Sequence, residues 1–422
     1  MHSVFIRRIR AAAGLLLLCA ALIPLSSLAA TTPSPLILEQ QRQQQKAIEN
    51  EIQRRLQIAP SPGAPPTKAE TIPLLENNLC QVLKRLWLYG ADHLPKRDQL
   101  SLFAPYKDRC INNAGLTKLA QSIQNWYLQA GYITTRIKLK RPQSSLNRGN
   151  LEIWVMEGRI GRFLLNDNRP FDQRRIATAF PVSDGDILNI HDLDQGLEQL
   201  NRLFSQTFRM QIKPARQTGY SDIQLLESNT ETSLLDTPLP SSRNTGKQQF
   251  NYRYSNGGQQ ATGVQLHNLT FTRENLFGLN DILSYSRQRA MPQTTGIMEN
   301  DTERASIHLP WGYWDASFNY YHGRTLQQLT GAITTFKSLS RITTRSLRLN
   351  RVLMRDQHSK LGIFLSLESN KRENYINQTL VQVASRRIAS LELGLTYTRY
   401  FNHGSLLLIP SLSRGVPWFN SL

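Results

Sequence analysis

Side chains able to do chemistry are few and scattered. Asp184/Asp186 and Asp192/Asp194 are close acidic pairs, a spacing that acid–base catalysis could use. They flank a turn and a helix start, where a helix N-terminus favours negative charge, and that accounts for them better than catalysis does. Gly246-Lys247 in "NTGKQQ" has no glycine-rich loop before it and no Ser or Thr after it, so a phosphate cradle is excluded. Neither His-Glu-x-x-His nor Gly-x-Ser-x-Gly occurs. His93, His191, His267 and His403 stand far apart, without metal-ligand spacing. No nucleophile, base and orienting group come together, so the expectation is a protein that is not an enzyme and needs no cofactor or metal.

The remaining chemistry is that of cysteine and charge. Arg7, Arg8 and Arg10, a short apolar stretch at 11–23 and the small residues before Ala30 make residues 1–30 a secretory signal peptide. Cys19 lies inside it. Cys80 and Cys110 remain in the exported chain, where an even count favours a disulfide. Closing a loop of that size is worth about 3 kcal/mol. The net charge is +19. An exported cation can meet nucleic acid, anionic lipid headgroups or an acidic protein. Lys and Arg are dispersed, however, and no basic tract points to nucleic acid.

These residues must be positioned by a chain of several parts. Residues 36–58 carry Ile48, Ile52 and Leu56 on a narrow stripe and otherwise Gln, Glu and Arg, so 31–58 is read as a helix with a largely polar surface. A Pro-rich spacer follows at 59–78. Two units of order β-α-α-β-β come next, at 79–158 and 159–230. In the first, a strand near 80–89 precedes a short helix near 96–103. A stronger helix places Leu116, Leu119, Ile123, Tyr127 and Ala130 on one face. A hairpin closes the unit. Ile133, Thr135, Ile137 and Leu139 face one way and Arg136, Lys138 and Lys140 the other; Leu151, Ile153 and Val155 alternate with Glu152, Trp154 and Met156. In the second unit a strand at 160–165, helices at 171–180 and 191–205, and strands at 208–213 and 222–227 are expected.

After a linker at 231–246 the helix signals stop. From 247 to 422 about nine segments alternate apolar and polar residues, such as Leu361, Ile363, Leu365 and Leu367 against Gly362, Phe364, Ser366 and Glu368. A soluble β-sandwich would show the same alternation. Export, long strands and charged groups on the polar face favour an antiparallel outer-membrane β-barrel. Aromatics such as Trp311, Tyr313 and Trp314 gather near segment ends.

"GYITTRIKL" and "GNLEIWVMEGRI" resemble strands of the TpsB (haemolysin secretion/activation) transporters of two-partner secretion. "LNIHDLDQGLEQLNRL" resembles the signature helix of that family's second POTRA domain, and "IKPARQTGYSDIQL" the strands after it, with Ala215 where Gly is usual. "RNTGKQQ", "HLPWGYWDASFNYYH" and "SRGVPWF" resemble barrel stretches. The resemblance implies a plug helix at 31–58, two POTRA domains and a barrel at 247–422. It implies export of a TpsA-type exoprotein (haemolysin, adhesin or contact-dependent inhibition toxin) without ATP. Outer-membrane lipid, periplasmic chaperones and the barrel-assembly machinery are the further partners it implies, and the bacterial outer membrane the location. The family's barrel has more strands, its Arg-Gly-Phe/Tyr loop has no match at Arg414-Gly415, and the chain ends "FNSL"; an incomplete barrel, C-terminally truncated or split, is therefore expected. A barrel-assembly factor of the same superfamily, or a remnant with only periplasmic binding domains, remain alternatives. A substrate-docking role is expected for Arg136, Lys138 and Lys140, because an exposed hairpin edge can pair with an unfolded chain while cations attract its acidic segments.

Overall fold

A computed structural model describes residues 81–139, 149–165, 170–228, 248–259, 262–291, 299–331, 333–401 and 404–421. The expected signal peptide, plug helix and both spacers lie outside the described residues, as do Cys80 and Lys140.

The first domain runs β1 (Gln81–Val82), β2 (Arg85–Tyr89), α1 (Lys96–Phe103), β3 (Cys110–Ile111), α2 (Asn113–Gln129), β4 (Arg136–Leu139) and β5 (Asn150–Met156). The strand expected near 80–89 is split, because the backbone changes partner. Leu83 N–H donates to Arg109 O, and Lys84 N–H to Gly149 O. The main sheet has order β2-β5-β4, with β2 parallel and β4 antiparallel to β5. Leu151, Ile153 and Val155 bury their side chains against Leu116, Leu119, Ile123 and Tyr127 of α2, as the alternation requires. Asn112 caps α2 by accepting the Gly115 N–H at 2.9 Å. β4 starts at Arg136, later than the alternation suggests, since turns hold 131–135.

The second domain runs β6 (Arg159–Leu165), α3 (Pro170–Ala179), α4 (Ile190–Leu200), β7 (Thr207–Pro214) and β8 (Tyr220–Ser228), with sheet order β6-β8-β7. Leu193, Leu200, Phe163, Phe180, Phe208 and Ile223 fill its core. α4 stops at Leu200, five residues short of the expected end at 205. Asn201 turns to bond the Phe208 backbone at both N–H and C=O, and the N–H groups of Phe204 and Ser205 donate to Glu274 instead of continuing the helix.

The strands β9 (Gln248–Ser255), β10 (Leu266–Glu274), β11 (Ile282–Ala290), β12 (Glu299–Trp311), β13 (Trp314–Thr330), β14 (Thr335–Arg355), β15 (Ser359–Ile376), β16 (Thr379–Leu380), β17 (Arg386–Phe401), β18 (Gly404–Leu408) and β19 (Ser411–Gly415) form one antiparallel sheet. Its path runs β18-β17-β15-β14-β13-β12-β11-β10-β9, with β16 beside β15 and β19 beside β17. Among the described strands the sheet does not close. Its two faces decide between sandwich and barrel. Phe318, Leu347, Leu365 and Leu393 share one face and are exposed, while Thr302, Ser317, Phe364 and Thr398 of the other face are buried. A soluble sandwich hides its apolar face. This sheet hides the polar one and turns the apolar one outward, as a wall facing lipid does.

Candidate functional site

The second domain meets three successive turns at one end of the sheet. The tightest is the two-residue turn joining β12 to β13. Gly312 has φ +55°, and a Cβ there would come within 3.0 Å of Pro181 Cα. Its N–H donates to Thr178 O at 2.8 Å. Its carbonyl accepts the side-chain amides of Gln195 and Gln199 from α4, each at 3.0 Å. Next to it Tyr313 donates its hydroxyl to Asp192, and Arg202 pairs with Asp315.

At the β10–β11 turn, Asn280 accepts from Arg175 Nε at 3.1 Å and donates to Arg175 O at 2.8 Å and Thr178 Oγ1 at 3.0 Å. Arg175 is fully buried; it also donates to Gln206 and stands over the Phe208 ring. Burial pushes its pKa down, against the pull of Asp172, Glu227 and Glu274. At the β14–β15 turn, Glu198 of α4 takes Arg355 at 2.5 Å and Lys360 at 2.7 Å, and Arg355 also donates to Gln195 at 2.8 Å. Two helices thus grip three turns by hydrogen bonds and paired charge: α3 holds the β10–β11 turn, and α4 the β12–β13 and β14–β15 turns. Such an arrangement fixes the second domain against the turns.

Asp192 stands in the first turn of α4 as expected, yet its hydrogen bond to Tyr313 gives it a second role. Burial raises the pKa of Asp192, against the Tyr313 hydrogen bond, and that of Asp194, against Arg355 and His191. Asp184 and Asp186 serve turn geometry: Asp184 accepts the Phe163 N–H and Asp186 the Ser183 N–H.

The two domains are joined by the stretches around Gly131 and Glu157. The Asn189 side chain caps α4 through the His191 N–H and donates to Ala130 O at the end of α2. Ile190 N–H donates to Gly131 O at 2.9 Å and Leu188 N–H to Gly158 O at 2.9 Å. Glu157 accepts Tyr127 OH at 2.8 Å and lies 2.9 Å from His93 Nδ1. Burial, and then Glu157, push the Tyr127 hydroxyl pKa upward.

Arg136 and Lys138 are exposed on β4, an edge of the first sheet. Lys138 lies directly across from Trp154. Tyr89 stacks on Trp154 with centroids 4.9 Å apart, and Trp87 is exposed on the same face. This aromatic row beside the cations was missed in sequence; the alternation Arg85, Trp87, Tyr89 was the available sign. Cys110 is disulfide-bonded. Among the described residues no cluster of three His, Cys, Asp or Glu side chains could hold a metal ion.

Three family models match the chain: a ShlB-type POTRA domain at 82–158, a POTRA domain at 159–214, and the haemolysin secretion/activation protein ShlB/FhaC/HecB at 240–422. The outer membrane transporter CdiB of Dickeya dadantii is 30% identical over 91% of this chain and 63% of its own length. The hemolysin transporter protein ShlB of Serratia marcescens is 28% identical over 91% of this chain and 62% of its own. The solved structure of CdiB from Escherichia coli superposes with TM-score 0.74 at 29% identity, covering 94% of this chain and 70% of that one. The chain therefore spans less than two thirds of the length of the curated relatives named. With both POTRA domains and the strands that follow them matched, the chain carries the POTRA domains and the haemolysin secretion/activation domain of the ShlB/FhaC/HecB family.

Proposed function

We propose that the chain acts as an outer-membrane translocation pore of two-partner secretion, with its POTRA domains in the periplasm, and that it exports a large TpsA-type exoprotein. The observation that carries this reading is the grip of the second domain, through α3 and α4, on three turns at one end of the strands. It sets the domains where a captured chain would meet the sheltered polar face of the sheet. The named relatives, outer membrane and hemolysin transporters, support it. Capture is assigned to the first domain: the β4 edge offers backbone groups to an unfolded segment, and Arg136, Lys138 and Lys140 add attraction to acidic stretches. We further infer that Cys110 bridges to Cys80, which unreduced peptide mass mapping tests directly.

Removal of the chain from its native cell is the deciding experiment. Loss of one exoprotein from the medium, with other outer-membrane barrels at normal levels, is the expected result. A fall in those barrels with the exoprotein still released would instead favour an assembly factor. No change in either would leave only periplasmic binding.

A further inference from the structure

The turns gripped by α3 and α4 mark one end of the strands, and on the reading above that end is periplasmic. The far ends of β13, β14, β15 and β17 then reach the outer leaflet. On the outward face the register sets Phe318, Leu347, Leu367 and Leu391 in one apolar row. Two residues further out the row reads Tyr320, Arg345, Ser369, Ala389, and two further still His322, Thr343, Lys371, Arg387. Beyond these Arg324 lies opposite Arg341, which lies opposite Glu373.

Two pairs of cations are thus set directly across from each other, Arg324 with Arg341 and Lys371 with Arg387. Like charges in that position weaken a sheet. The neighbouring sector shows the opposite arrangement. There Arg287 lies across from Glu303 and Arg289 across from Asp301, and Arg287 bonds Asp301 as well. The excess of positive charge is confined to β13–β17. Glu299 reaches Arg324 at 3.4 Å and Glu373 reaches Lys371 at 2.6 Å. Arg387 donates only to a backbone carbonyl, that of Phe419, and Arg345 has no ion pair among the described residues.

We propose that Arg345, Lys371 and Arg387 form a binding site for the phosphate-bearing headgroup of an outer-leaflet lipid. The apolar row next to them is the surface on which acyl chains lie. A headgroup anchored there brings its phosphate to the first cations beyond the apolar edge, about 7 Å on for every two residues. Diagonal neighbours on adjacent strands stand about 7–8 Å apart, so one bisphosphorylated headgroup can span all three. Arginine meets phosphate oxygens through two parallel N–H groups, and the bound anion relieves the opposed cations. A soluble anion would use the charge but not the adjoining apolar row.

The test uses the full chain, purified in detergent and titrated in native mass spectrometry with a bisphosphorylated, multiply acylated glucosamine lipid. Its dephosphorylated form and inorganic phosphate serve as competitors. The triple variant Arg345→Gln, Lys371→Gln, Arg387→Gln should bind the bisphosphorylated lipid at least about tenfold more weakly than wild type, as loss of three cations at a lipid surface requires. The dephosphorylated lipid should compete poorly, and phosphate should compete only in large excess. Equal binding by wild type and variant, or equal competition by the dephosphorylated lipid, would overturn the site. Displacement by phosphate at the lipid's own concentration would make it a plain anion site and overturn the lipid assignment. Reversion of Arg345 alone should restore part of the binding, which separates site loss from misfolding. Absence of the wild-type chain from the outer-membrane fraction would defeat the proposed function, whereas the mass-spectrometric result bears on this site alone.

Discussion

In the second POTRA domain the polar side chains Asp192, Gln195, Glu198 and Gln199 of α4, and Arg202 just after it, are committed: each bonds a sheet turn or a strand end beside one. In the first domain the corresponding helix, α2, bonds inside its own domain, through Gln124 to Thr135 O, Trp126 to Asp98 and Tyr127 to Glu157. The polar surface of the first domain is its sheet face, with Arg136 and Lys138 in solvent beside stacked aromatic rings. The same order of elements anchors in one copy and stays available in the other. Substitutions should therefore act on stability and coupling in the second domain, and on binding in the first.

The sharpest test of the anchoring half is Gly196→Val. A Cβ at Gly196 would sit 2.0 Å from the Phe180 ring, where α4 packs on the core. Overpacking of this kind costs about 3 kcal/mol, and urea unfolding followed by limited proteolysis of 159–228 should show it. A variant as stable as wild type would mean α3 and α4 are not so close.

Glu198→Gln comes next. It removes the carboxylate shared by Arg355 and Lys360, whose side chains are only 18% and 15% exposed. Stranding partly buried cations costs about 2 kcal/mol. A double-mutant cycle with Arg355→Gln should show strong non-additivity, and export should fall with it. Additive effects would remove this turn from the grip.

A smaller effect comes from His191. Burial holds its pKa below 6.5; Asp194, Asp356 and Asp192 oppose that and Arg355 reinforces it. The unfolded chain then takes up a proton before the folded one does. The His191 contribution is complete above 6.5 and is lost as pH falls through that value toward the lowered folded pKa. Asp192 and Asp194, with raised pKa values, act in the opposite sense just above 3.8. Melting temperature should decline between about pH 7.5 and 5.5, and His191→Gln should flatten that slope.

The smallest effect on stability should come from the available half. Arg136→Glu with Lys138→Glu should change unfolding free energy by less than about 0.5 kcal/mol. The same pair should weaken capture of the exoprotein's N-terminal domain in a salt-dependent way, because the attraction is screened over about 8 Å at physiological salt. Normal capture at low salt would reduce the hairpin to scaffold.

Much of this organisation is written in local pattern. Period-2 alternation at 151–155 and heptad-like spacing at 116–127 follow from burying one side of a strand or helix, so both elements and their core residues could be read from the chain. The number of long strands after 247 could be read the same way. Period is blind to what lies beyond the face it marks. Only the folded sheet showed that its apolar residues point outward and its polar ones are sheltered. The roles of Gly312, Arg175, Glu198 and Asn280 were equally invisible, because each depends on a partner about 100 or more residues away, such as the 105 between Arg175 and Asn280. Sequence determined which residues are amphipathic and where chain direction changes; the tertiary structure decided which turn each polar side chain meets, since that is fixed by the packing of distant segments and by no local preference.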